Sequence, residues 1–147
     1  TDANRLEVAK RFGATDTLDP SRDDIAAWIK ENTKDGVDVA IEAVGIPATF
    51  DTCQSILRPG GTMAVVGVHG KSVDFQVQKL WIQNITLRTG LVNTNTTALL
   101  LKTVLAKKLD PSQLITHRFS LNDIEQAYET FGHAADEKAL KVILSAE

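Results

Sequence analysis

Glu42 is the acid of this sequence most exposed to desolvation, and His69, taken separately, is a histidine that could face a site from just past a strand end. Glu42 closes a mostly apolar, β-branched run through Val37, Val39 and Ile41, and His69 follows a second run ending Val65-Val66-Gly67-Val68. A carboxyl at the end of a buried strand is desolvated, and such a group serves as a structural hydrogen-bond acceptor or as an acid–base catalyst. The structural role leads for Glu42, and a surface or loop role leads for His69. None of His69, His117 and His133 has a Cys or His partner at metal-ligand spacing. Cys53, the one cysteine, falls on the apolar side of a helical segment with nothing nearby to lower its pKa, so it reads as a buried thiol rather than a nucleophile. A lone cysteine also excludes an intrachain disulfide or a multi-cysteine metal site, and makes a reduced, cytoplasmic setting the default.

Gly45 and Gly67 each follow a buried run. A glycine there either lets a flat ring or a phosphate approach the backbone or simply turns the chain. Gly60 and Gly61 after Pro59 read as a helix-to-strand turn. No GxGxxG fingerprint is present, so the phosphate-cradling loop of a dinucleotide fold is not expected in these residues. Arg5 and Lys141 could each reach a phosphate, although a basic residue at the end of an element commonly faces only water.

The elements that would position these groups alternate between the two periods. Residues 36–68 read as strand, turn, helix, turn, strand, a βαβ unit with strands covered on both faces. Ligands of such sheets bind at the carboxyl ends of the strands. Ahead of it stand a first helix with Leu6, Ala9 and Phe12 on one face, a short strand over residues 15–18, and a helix over 23–32. After it come a short strand over 73–75 and an alternating strand over 84–91. Beyond Asn93 the spacing predicts a helix over 98–107, a strand over 115–119, a capping box at Ser120-Leu121-Asn122-Asp123, a helix turning Ile124, Ala127, Tyr128 and Phe131 inward, and a strand over 140–144. The expected division is 1–92 and 93–147.

The chain has 147 residues, a net charge of −3 and dispersed basic residues, which marks neither a nucleic-acid nor an anionic-membrane partner. No apolar run approaches the roughly 20 residues that span a bilayer. Thr1-Asp2-Ala3-Asn4 has the shape of a helix start cut from its preceding strand, and a fragment is expected.

Taken in order, NRLEVAKRFGATDTLDP, DGVDVAIEAVG, LRPGGTMAVVGV, NITLRTGLV, LITHRFSLNDIEQAYETF and KALKVIL resemble the zinc-dependent, medium-chain alcohol dehydrogenases. The resemblance implies an α/β fold: a partial Rossmann-like parallel sheet with flanking helices, lacking its first two strands, and a C-terminal β–α–β tail returning to the catalytic domain. It implies hydride transfer between a small alcohol or carbonyl compound and NAD or NADP, with NAD slightly ahead. The implied coenzyme positions are Arg5 near the adenosine ribose, Ala43, Val44 and Gly45 on the adenine side, Val66, Gly67 and Val68 beside the nicotinamide, Gly90, Leu91 and Val92 at the carboxamide, and Lys141 at the pyrophosphate. The family's zinc ligands and proton relay match no residue of this sequence, so no catalytic residue is assigned and the fragment alone is expected to be inactive. The resemblance also implies a homo-oligomer joined through sheet edges. A polyol dehydrogenase or a zinc-free quinone reductase shares this half. A methyltransferase, suggested by LRPGG before a strand, and a non-enzymatic nucleotide-binding or assembly module are the other classes.

Overall fold

The β-branched run from Val37 forms a strand because its neighbours do the same in parallel register. The structure, a computed structural model, describes residues 2–146; Thr1 and Glu147, the outer ends of the two expected segments, lie outside them. In chain order the elements are α1 (Ala3–Arg11), α2 (Ile25–Asn32), β1 (Val37–Glu42), α3 (Pro47–Ser55), β2 (Leu57–Val65), α4 (Val77–Leu80), β3 (Thr86–Thr89), α5 (Thr97–Leu105), β4 (Ile115–Ser120), α6 (Ile124–Gly132) and β5 (Lys141–Ser145). By contacts they divide into two units, one over Arg22–Asn93 and one joining the residues up to Ser21 to those from Thr94 onward.

In the first unit β1, β2 and β3 form a parallel sheet in that order. Glu42 stands opposite Val65, so β1 and β2 end level with each other. Pro47 opens α3, where a missing N–H does no harm. Met63, Ala40, Phe50, Leu57 and Val65 make the core, and Val73, Phe75 and Ile85 pack against it. Pro59, Gly60 and Gly61 lie inside β2 rather than before it. There the register jumps from Val37 opposite Leu57 to Val39 opposite Thr62, an irregularity of the bulge type.

Three further expectations for this unit are corrected. Val39, Ile41 and Val44 are exposed, while Ala40 and Glu42 are buried. Strand alternation sends Val39 and Ile41 to the opposite face from Ala40, so β1 is covered on one side only. Residues 73–75 form no strand. Their backbone is held instead by one side chain of α3: Gln54 donates to the Asp74 carbonyl at 3.0 Å and accepts from the Gln76 N–H at 3.2 Å. The alternating stretch 84–91 pairs only over Thr86–Thr89.

In the second unit Asp2 caps α1, its Oδ1 accepting the Arg5 N–H at 3.1 Å. Residues 15–18 form no strand; a strand needs a neighbour, and none pairs with them among the described residues. β4 and β5 are parallel, with α6 crossing between them. Ser120 accepts the Asn122 N–H at 3.2 Å and so starts a 3-10 turn over Leu121–Asp123 ahead of α6, rather than reaching the third residue as a capping box does. Of the four residues expected to face inward, Ala127 is buried, whereas Ile124, Tyr128 and Phe131 are exposed. With Leu140, Lys141, Val142 and Leu144 of the strand side, Ala127, Tyr128 and Phe131 line an open, largely apolar hollow of about 370 Å³.

Candidate functional site

The level ends of β1 and β2 bring two loops together, and one carboxylate joins them. Glu42 is 1% exposed. Its Oε1 accepts the Val44 N–H at 2.9 Å, the Gly45 N–H at 2.8 Å and the Thr49 hydroxyl at 2.6 Å. Its Oε2 lies 3.1 Å from Nε2 of His69 on the second loop. Its main-chain carbonyl accepts the N–H groups of Val66 and Gly67, at 2.8 and 3.1 Å. Burial raises the pKa of the carboxyl, but the hydrogen bonds from Thr49, Gly45, Val44 and His69 outweigh it and hold the group at about 2. Glu42 is therefore an acceptor only at neutral pH, and the His69 proton that faces it sits on Nε2. The other ring nitrogen, Nδ1, is buried without a hydrogen-bond partner, and the ring meets Phe50 edge-on at 5.9 Å between centroids.

The two glycines are explained by this junction. Gly45 has φ +89°, a conformation that side-chain-bearing residues rarely adopt, and a Cβ on it would collide with the Val68 backbone. A Cβ on Gly67 would collide with Glu42 Oε2 and the Gly45 nitrogen. The space that glycine leaves here is filled by the facing loop. The apolar side chains of Val44, Val66 and Val68 stand out in solvent, 63%, 60% and 90% exposed. A rigid backbone presenting apolar side chains at the carboxyl end of a parallel sheet can cover one side of a flat ring.

The remaining candidates lie elsewhere. Gly90, Leu91 and Val92 follow β3 in irregular structure, with Leu91 and Val92 exposed. Arg5 and Lys141 belong to the other unit. The Arg5 guanidinium pairs with Asp2 at 3.2 Å and donates to the Ala139 carbonyl at 3.3 Å, two residues before β5 begins at Lys141. Burial, reinforced by the Glu42 charge, pushes the Cys53 thiol up, away from thiolate chemistry. Among the described residues, no cluster of three or more His, Cys, Asp or Glu could hold a metal ion, and no helix is long and apolar enough to cross a membrane.

The pairing of Glu42 with His69 and the hydroxyl contact from Thr49 lie beyond what the sequence taken residue by residue predicts. The pairing had a signal: each residue stands at or just past the end of neighbouring parallel strands. Thr49 had a weaker one, a hydroxyl in the first turn of the helix that follows a strand-ending acid.

A parallel sheet with flanking helices and paired loops at its strand ends is the architecture of nucleotide-binding α/β proteins. The chain belongs to the zinc-binding dehydrogenase family, whose sequence model matches residues 1–107. It is 53% identical to the apo form of zinc dependent alcohol dehydrogenase 2 from Streptococcus pneumonia, with a TM-score of 0.90 over 99% of this chain and 43% of that one. Alcohol dehydrogenase TADH from Thermus sp. ATN1 is 29% identical, with a TM-score of 0.89 over 97% of this chain and 41% of that one. L-threonine 3-dehydrogenase of Shewanella sp. (strain W3-18-1) is 29% identical over 150 residues, covering 99% of this chain and 43% of the relative. The chain thus spans less than half the length of the relatives it matches, and its α/β fold is that of the C-terminal Rossmann-like part of such dehydrogenases.

Proposed function

We propose that this chain is the coenzyme-binding part of an alcohol dehydrogenase that uses NAD or NADP and acts on a small alcohol or its carbonyl product in the cytoplasm. The observation that carries the proposal is the junction at Glu42, which fixes residues 43–45 and 66–68 side by side at the carboxyl edge of the sheet. Membership of the dehydrogenase family and the names of its relatives support the reaction class.

In this reading Ala43, Val44 and Gly45 flank the adenine side of the coenzyme, and Val66, Gly67 and Val68 lie against the nicotinamide. Gly90, Leu91 and Val92 meet the carboxamide, while Arg5 and Lys141 serve the ribose and the pyrophosphate. The coenzyme supplies the hydride acceptor; these residues bind it, orient its ring and exclude water from one side. The metal implied by the family does not fit a donor set among the described residues, so no step is derived through it and no residue here is assigned a catalytic role. Residues 1–92 act as the coenzyme segment, and 93–147 as the segment returning to the catalytic domain.

Calorimetric titration with NADH, NADPH and S-adenosylmethionine tests the proposal. Saturable binding of a nicotinamide coenzyme supports it. Binding of S-adenosylmethionine instead would make the chain a methyltransferase piece, and binding of none would favour an assembly module.

A further inference from the structure

Four donors from two loops converge on one buried carboxylate. Three come from the first loop and the helix it enters, namely the N–H groups of Val44 and Gly45 and the Thr49 hydroxyl, all on Oε1. The fourth, His69, comes from the second loop and takes Oε2. If Glu42 served only to finish β1, donors from its own loop would satisfy it. The division of its two oxygens between the loops makes a bridge. The bridge is closed at short range, because the absent side chain of Gly67 leaves the place where Oε2 lies and that of Gly45 leaves the place where the Val68 backbone lies. A charged acceptor suits this role. Hydrogen bonds to an ionised group are roughly twice as strong as neutral ones, and a glutamine in its place would turn an N–H₂ towards donors on one side.

We propose that Glu42 is a positioning residue that locks residues 43–45 and 66–69 into a single unit, so that the two loops meet the coenzyme in fixed register. The proposal rests on the coenzyme reading given above. A perturbation of either loop then reaches the other through the carboxylate.

The test perturbs one loop and reads the other. His69→Ala leaves Val44, Gly45 and Thr49 intact, and amide hydrogen exchange is followed at Val44 and Gly45. Glu42→Gln is measured in parallel, and both variants are titrated with NADH and NADPH at a temperature where they remain folded. The expected result is faster exchange at Val44 and Gly45 in His69→Ala, and a Kd for the coenzyme raised about tenfold or more in Glu42→Gln, the order lost with one charged hydrogen bond. Unchanged exchange at Val44 and Gly45 in His69→Ala overturns the bridge. A coenzyme Kd within about twofold of wild type in folded Glu42→Gln overturns the positioning role, because a merely structural carboxylate lowers thermal stability without moving Kd. Should Glu42→Gln fail to fold, Thr49→Val removes one donor and is expected to raise Kd in the same direction. Should the wild-type chain bind neither coenzyme, the functional reading falls while the exchange result still decides the bridge.

Discussion

Nε2 of His69 lies 3.1 Å from Oε2 of Glu42, joining the ends of two parallel strands across 27 residues of sequence. The carboxylate in this pair is fully buried, and no lysine or arginine is its partner in an ion pair among the described residues. It stays ionised because backbone and hydroxyl donors surround it, much as successive N–H groups hold an anion in a nest.

That environment sets a pH dependence. The folded pKa of Glu42, about 2, lies below its ordinary value of 4.5. A depressed carboxyl contributes stability that is fully present above the ordinary value and is lost as pH falls through the folded one. Urea unfolding should show wild type more stable than Glu42→Gln by roughly 1–3 kcal/mol near pH 7. The gap should narrow below about pH 4.5 and close near pH 2.

The two loop glycines should be intolerant of the smallest side chain. Gly67→Ala drives a Cβ into the Glu42 carboxylate, and Gly45→Ala both strains the backbone and meets Val68. Each should destabilise the chain by roughly 1–3 kcal/mol or more. Gly70→Ala, with no atom within 4 Å of the added carbon, should stay within about 0.5 kcal/mol of wild type. Thermal melts of the three variants make the comparison.

Much of this arrangement could be read in the sequence, and the failures share a cause. The βαβ unit was legible because Val37, Val39 and Ile41 and then Met63–Val66 form short apolar runs on either side of a helical period. Glu42 was legible as a buried acceptor because it ends such a run. Local pattern carries no information on what covers a face, so Val39 and Ile41 were expected inside and stand outside. Tyr128 and Phe131 have helical spacing and a helix, yet nothing in that spacing says whether a partner surface is present. Residues 73–75 have strand composition, but the long-range hydrogen bonds to Gln54 decide their conformation.

The core makes a simpler prediction. Met63 is wholly buried in the middle of β2 between Ala40, Phe50, Leu57 and Val65. Met63→Ala should lower unfolding free energy by roughly 2–5 kcal/mol through lost burial and the cavity left behind. Denaturant titration gives the value directly.

Both edges of the three-stranded sheet are unpaired among the described residues, and β1 also exposes Val39 and Ile41. Open strand edges pair with other chains, and an exposed apolar face beside such an edge adds to the contact. Light scattering coupled to size-exclusion chromatography should find a concentration-dependent oligomer, and Ile41→Lys should shift it towards monomer. A monomer at every concentration would show that these edges do not associate.

The central claim is that the joined loops at the ends of β1 and β2 form the coenzyme surface. Titration of the isotopically labelled chain with NADH and NADPH, followed by amide chemical shifts, tests it most directly. The account predicts that the shifts concentrate at residues 43–45 and 66–68. Saturable binding that leaves those amides unmoved, or moves only residues elsewhere, would contradict it.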